Sequence, residues 1–217
     1  MAFPYPAAAA FLPCSEFMSE ETPRDAEFSP DAQDIEWMRR VAQGDMRAFE
    51  SLVEAHQTRV VGTVAKMLGD DTDAEDIAQQ VFIRVWKSAA RYQPTAKFTT
   101  WLFKITRNLV FNELRRRKRH PATPLEHEEE EHHFQAADQS TMAPDASMLD
   151  AEMQNAIQAA IDSLPEAQRM AVVLRRYEDM PYEEIGEVLG LSVPAVKSVL
   201  FRARAELREK LRKYLDA

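Results

Sequence analysis

Apolar residues recur every three or four positions along most of this chain, and no stretch alternates apolar and polar residues over a convincing strand length. That period puts one stripe of side chains on one helix face, so the pattern predicts an all-α protein. From residue 31, Ile35, Met38, Val41 and Ala42 share a face, and their helix ends near Gly44. Asp45 is placed to cap a second helix carrying Phe49, Leu52, Val53, Val60, Val64 and Leu68, because its carboxylate can accept from the first unpaired backbone N–H groups. Residues 69–73, GDDTD, read as a loop. Thr72 or Asp73 starts a third helix with a wide stripe of Ile77, Val81, Phe82, Val85, Trp86 and Ala89. Pro94 breaks the pattern, and a fourth helix covers residues 99–119. Periodicity stops at residue 120 and resumes near 148 with Leu149, Met153, Ile157, Ala160, Ile161 and Leu164, ending at Pro165. Residues 167–177 make a further helix.

Residues 180–211 read as two helices around a tight turn. Tyr182, Ile185, Val188 and Leu189 give the first an apolar face, and Gly190 stands where it must stop, since glycine enters the left-handed region without a Cβ penalty. Ser192 can cap the next helix, with Pro194 tolerated in its first turn. In that helix Val196, Leu200, Ala203, Leu207 and Leu211 point inward, while Lys197, Phe201, Arg204 and Arg208 point elsewhere. A helix–turn–helix with a basic second helix is the pattern that enters the DNA major groove. An aromatic such as Phe201 among exposed cations argues against an ordinary helical hairpin.

Net charge sharpens the picture because it is segregated. The chain carries −9 overall, yet residues 1–35 and 120–153 together hold −15, residues 36–119 hold +6, and residues 154–217 balance. The acidic total therefore reports the leader and the middle, not the binding surfaces. Within the fourth helix, Lys104 to Arg119 contains seven bases and one acid, Glu113, led by Tyr92, Phe98, Trp101 and Phe103. Cations beside aromatic rings suit single-stranded nucleic acid, whose phosphates attract charge and whose bases stack. Phe103 and Phe111 are expected in the core.

Other features exclude function classes. Cys14 is the single cysteine, which rules out an internal disulfide or a cysteine-rich zinc site and suits a reducing cytoplasm. No apolar run approaches the ~18 residues of a membrane span. The first 14 residues lack a basic start and are broken by prolines, so they are not read as a secretion signal. Residues 1–30 are expected to be a disordered leader, or the sequence to carry an upstream start codon with Met18 as the true beginning. His127, His132 and His133 lie among glutamates but without the spacing that sets two ligands on one helix face, so no metal is expected.

Four stretches then match one pattern in order: DAEDIAQQVFIRVWK (73–87), KFTTWLFKITRNLVFNELRRRKR (97–119), SLPEAQRMAVVLRRYEDMPYEEIGEVLGLS (163–192) and VKSVLFRARAEL (196–207). The chain resembles a bacterial RNA polymerase sigma factor of the extracytoplasmic-function (ECF) group. The resemblance implies two small helical domains joined by a flexible acidic linker, the second domain holding the helix–turn–helix. Residues 1–34 would be the acidic leader, 35–119 region 2, 120–148 the linker and 149–217 region 4. It implies a cytoplasmic factor that is not an enzyme and needs no cofactor, whose partners are core RNA polymerase and promoter DNA, with an anti-sigma factor as a common further partner.

The resemblance also assigns residues. Asp76, Gln79 and Gln80 would bind core polymerase, Gln80 standing where the family commonly has an acid. Lys97, Thr99, Thr100, Lys104, Arg107 and Asn108 would capture the melted −10 element, with Arg115, Arg116, Arg117 and Lys118 on backbone phosphates. A flipped base costs a few kcal/mol of unstacking, which such contacts must recover. Lys197, Ser198, Phe201 and Arg202 would read the −35 element, and Arg204 would hold a phosphate. The runner-up is a stand-alone helix–turn–helix regulator, which leaves Asp76, Gln79 and Gln80 without a task. The family's linker threads polymerase channels built for nucleic acid, so the five acids within residues 126–131 are expected to stand in for RNA charge there; the alternative is a solvated spacer. Changing those five glutamates to glutamine is expected to weaken binding or initiation in a titration with core polymerase, and unchanged affinity and initiation would reject the mimic.

Overall fold

The computed structural model describes residues 30–69, 72–119 and 144–215, so the leader, the acidic run at 126–131 and most of the linker lie outside the described residues. Within them the chain is helical without strands: α1 (Pro30–Val41), α2 (Met46–Leu68), α3 (Thr72–Ser88), a 3-10 turn (Ala89–Arg91), α4 (Phe98–Arg119), α5 (Pro144–Asp162), α6 (Glu166–Tyr177), α7 (Tyr182–Leu189), α8 (Val193–Lys210) and α9 (Arg212–Leu215). The fold class matches the periodicity. Boundaries shift where single residues decide them. Thr72 begins α3, shortening the expected GDDTD loop, and α4 starts one residue early at Phe98.

Local chemistry explains the ends of α2. The Asp45 carboxylate accepts from the Arg47 and Ala48 backbone N–H groups at 2.9 and 3.2 Å, while its other oxygen accepts from Arg40. These bonds, that from Arg40 foremost, hold its pKa below the ordinary aspartate value. Gly69 closes the helix in the left-handed region (φ 68°), its N–H donating to the Ala65 carbonyl. The start of α4 is capped from far away: the Phe98 N–H donates to Asp31 of α1 at 2.7 Å. Beside it Asp34 and His56, both buried, form a pair at 2.9 Å.

Two expected details differ. Ser192 has the extended backbone of a cap, but its side chain makes no cap bond. Pro194, at the second helical position, has no N–H to offer it. Ala42 is exposed because it lies in the turn after α1 rather than on its apolar face.

The first four helices pack as one group and α6, α7 and α8 as another. The two groups do not stand apart. α7 lies along α4 and α6 along α2, and buried side chains from Met38 to Leu200 form one continuous core. Arg169 of α6 pins the junction, donating to the Met67 carbonyl at 2.7 Å and to the carbonyl of Asp162. Gly69 belongs to the same junction, since a Cβ there would meet an Asp162 carboxylate oxygen at 2.9 Å.

The corner between α7 and α8 depends on glycine. Gly190 sits at φ 70°, and the Gly190 and Leu191 N–H groups both turn back to the Gly186 carbonyl. A Cβ on Gly186 would lie 2.6 Å from the Leu191 carbonyl oxygen, a backbone atom that cannot step aside. Gly186→Ala is therefore expected to cost about 1–3 kcal/mol and lower the melting temperature by about 3–10 °C, read by calorimetry or circular dichroism.

Candidate nucleic-acid interface

The outer face of α8 is free. Val196, Leu200 and Ala203 face the core, which leaves Lys197, Ser198, Phe201, Arg202 and Arg204 exposed together. Ser198 turns its hydroxyl onto the Pro194 carbonyl of its own helix at 3.0 Å. Lys197, Arg202 and Arg204 make no ion pair among the described residues. Phe201 is 74% exposed. An apolar ring among unpaired cations can meet a thymine methyl group while its neighbours meet phosphates and base edges.

The basic face of α4 is different, because carboxylates already occupy it. Lys97 Nζ lies 2.7 Å from Glu184 of α7, and the buried Thr100 hydroxyl donates to the other oxygen of that carboxylate at 3.1 Å. The hydrogen bond that Lys97 donates to Glu184, and then the charge of that carboxylate, raise the Lys97 pKa above the ordinary lysine value. Lys104 pairs with Glu187 at 2.9 Å. Arg107 donates to the Leu189 carbonyl at 3.2 Å and to its neighbour Asn108 at 2.7 Å, with its guanidinium over the Phe111 ring. Asn108 is exposed and Thr99 half-buried. The structure thus brings Lys97, Thr100, Lys104 and Arg107 together along one face.

At the end of α4 the dense positive run has internal partners. Arg116 makes a two-pronged contact with Glu113 at 2.7 Å for each bond, Arg117 reaches Glu113 and Asp73, and Lys118 meets Glu166 at 2.7 Å. Arg115 donates to Asn112. Mutual repulsion therefore does not by itself require a nucleic-acid anion here.

Among the aromatics, Phe98 and Phe103 are fully buried and cannot stack on a base. Phe98, Tyr92 and Trp101 pack edge-on or tilted, with ring centres 4.9–6.1 Å apart. Burial and the nearby Asp31 and Asp34 push the Tyr92 phenol up to about 12, so it stays neutral. Trp101 keeps one edge on an open depression lined also by Ile83, Arg84, Lys87 and Arg91. Sequence reasoning missed these three cations. The signal was available: Gln80, Arg84, Lys87 and Arg91 continue one helical stripe away from Val81 and Val85.

Asp76, Gln79 and Gln80 are all exposed on α3, but they do not share one recess. Gln79 borders an apolar groove with Phe49, Val53, Val61 and Phe82, between α2 and α3. Asp76 and Gln80 border a polar groove with Asn112, Arg116 and Arg119, between α3 and α4.

Comparison with known proteins follows the same division. Residues 52–120 match the model for sigma-70 region 2, and residues 154–207 match that for sigma-70 region 4. The chain is 32% identical to the RNA polymerase sigma-H factor of Pseudomonas aeruginosa, over 84% of this chain and 96% of that protein. It is 32% identical to the ECF RNA polymerase sigma factor SigW of Bacillus subtilis, over 81% of this chain and 95% of that one. Among solved structures, CnrH in complex with the cytosolic domain of CnrY superposes with a TM-score of 0.60 at 26% identity, covering 83% of this chain and 98% of that one.

The Glu113 cluster sets a pH response. Hydrogen bonds from Arg116 hold the Glu113 pKa below its ordinary 4.5. A depressed carboxylate stabilises the fold above its unfolded value, and that contribution disappears as pH falls through the folded one. Glu113→Gln is expected to lose about 1 kcal/mol at neutral pH, modest because Arg116 is largely exposed. Its melting temperature should also fall less steeply than that of the wild type between about pH 5 and pH 3.

Proposed function

The chain belongs to the sigma-70 family, in its ECF group, and directs RNA polymerase to promoters; from that membership we propose which surfaces do the work. α8 reads the −35 element as duplex, with Lys197, Ser198, Phe201 and Arg202 toward the bases and Arg204 on a phosphate. The observation that carries this is the α8 face itself, where three cations and an exposed ring stand without an ion-pair or ring partner among the described residues. Major-groove reading needs such side chains on one helix face.

α4 and the turn before it take the melted −10 strand, through Lys97, Thr99, Thr100, Lys104, Arg107 and Asn108, with Arg115, Arg116, Arg117 and Lys118 along the backbone. Asp76, Gln79 and Gln80 dock on core polymerase from either side of α3. Residues 35–119 act as region 2 and 149–217 as region 4, with 1–34 and 120–148 as leader and linker. The factor works by binding in the cytoplasm and not by catalysis. CnrH is bound by another protein in its solved complex, and an anti-sigma factor is proposed as a partner of this chain on the same footing.

The test is promoter-specific transcription with purified core polymerase, run on a library of promoter fragments. The wild-type chain should select a consistent promoter set only when core is present. Phe201→Ala and Arg202→Ala should each reduce initiation about 5- to 150-fold, matching ~1–3 kcal/mol per base contact, with melting temperatures unchanged because both residues are exposed. Full-strength sequence-specific duplex binding without core would instead indicate a stand-alone regulator.

A further inference from the structure

Arg84, Lys87 and Arg91 have no task in the proposed function. All three are exposed and make no ion pair among the described residues. They line the open depression between α3 and α4 together with Ile83, Ile105 and Trp101. Ile83 is half exposed. The stripe from Arg84 to Arg91 covers about 10 Å of helix. Three idle cations around apolar side chains suit a segment that carries carboxylates and an apolar group together.

The described chain begins beside this depression. α1 packs on the 3-10 turn that ends at Arg91. At the start of α1, Asp31 accepts from the Phe98 N–H at 2.7 Å, and the Phe98 ring lies 5.8 Å from that of Trp101. Tyr92, next after Arg91, packs on both rings. The residues that precede Pro30 therefore enter the fold at the rim of the depression. They carry the complementary charge. Residues 18–29 hold Glu20, Glu21, Asp25 and Glu27 against Arg24, with Met18 and Phe28 as apolar groups. Fully extended, such a segment reaches about 40 Å, several times the length of the stripe.

We propose that residues 18–29 dock along the Arg84–Arg91 stripe of the same chain, their carboxylates on the three cations and Phe28 against Trp101. Each exposed ion pair contributes little. The tether compensates, because it holds the acids near their partners at a millimolar effective concentration. A nucleic-acid strand offers the same anionic chemistry but arrives untethered. The contact uses none of the residues assigned to DNA, so it stands whether or not those assignments do. Gln80 lines the same depression, so the docked leader flanks one of the residues proposed to meet core polymerase.

The test uses the full chain with Cys14→Ser and a nitroxide spin label on Thr22→Cys. Amide signals of residues 84–91 and the Trp101 indole signal should broaden. Arg84→Gln with Lys87→Gln and Arg91→Gln should relieve the broadening. So should Glu20→Gln with Glu21→Gln, Asp25→Asn and Glu27→Gln. Either set should lower the ratio of docked to undocked chain about three- to hundredfold, and the two sets combined should add nothing beyond one. Raising NaCl from about 0.05 to about 0.5 M should act in the same direction. That salt arm keeps the test decisive if a multiple variant folds poorly. Broadening that is absent, or that persists through both sets and through salt, overturns the proposal. A mixed-sequence single-stranded oligonucleotide supplies the competing outcome. If the cation variant weakens its binding while the neutralised leader leaves it unchanged, the depression is a nucleic-acid site and the leader is not its occupant.

Discussion

Every other helix group leans on the buried sides of α2. Over 23 residues it buries Ala48, Leu52, His56, Val60, Thr63, Val64, Met67 and Leu68, more than one amphipathic stripe requires. Its length is packed by α1, α3 and α4, and its C-terminal half also receives α5 and α6. A helix buried on more than one side must satisfy its polar groups with protein. Thr63 meets Glu178, His56 meets Asp34, and the Met67 carbonyl meets Arg169. These bonds tie α2 to chain segments far away in sequence, and they position α4 and α7 face to face.

What was legible in the sequence was local. The stripes through Ile77, Val81 and Val85, and through Val196, Leu200 and Ala203, follow from helical period alone and are buried as expected. Asp45, Gly69 and Gly190 terminate helices through bonds within a few residues. What escaped was set by tertiary contact. The run Arg115–Arg119 reads as charge awaiting an external anion, yet Asp73 and Glu166 arrive from other helices. Glu113 was closer to hand, three and four residues before its partners. Phe98 reads in the sequence equally as a ring that shapes the loop or one that touches bases; its burial, beside an N–H capped by Asp31 from 67 residues earlier, decides for the first. No period encodes the meeting of Glu184 with Lys97.

The two halves of the candidate interface also divide the energetic work. Neither surface carries a large unbalanced charge: residues 154–217 are charge-neutral, and several basic residues of α4 are paired with carboxylates of the protein. Two modest contacts fixed on one DNA by a third body gain from effective concentration rather than from individual affinity.

That Lys197, Arg202 and Arg204 have no ion-pair partner among the described residues has a consequence for thermodynamics. A cation that is free in the unbound protein releases condensed counterions from DNA at full value, whereas a cation that must first leave a carboxylate exchanges one anion for another. Duplex binding by α8 would then respond to salt with about three ions' worth of slope, near −2.7 in log–log form. The α4 face would add little to that slope, because salt weakens its internal pairs and its DNA contacts together. The steepness of the salt response would therefore count which cations were idle beforehand, not how many finally touch the DNA.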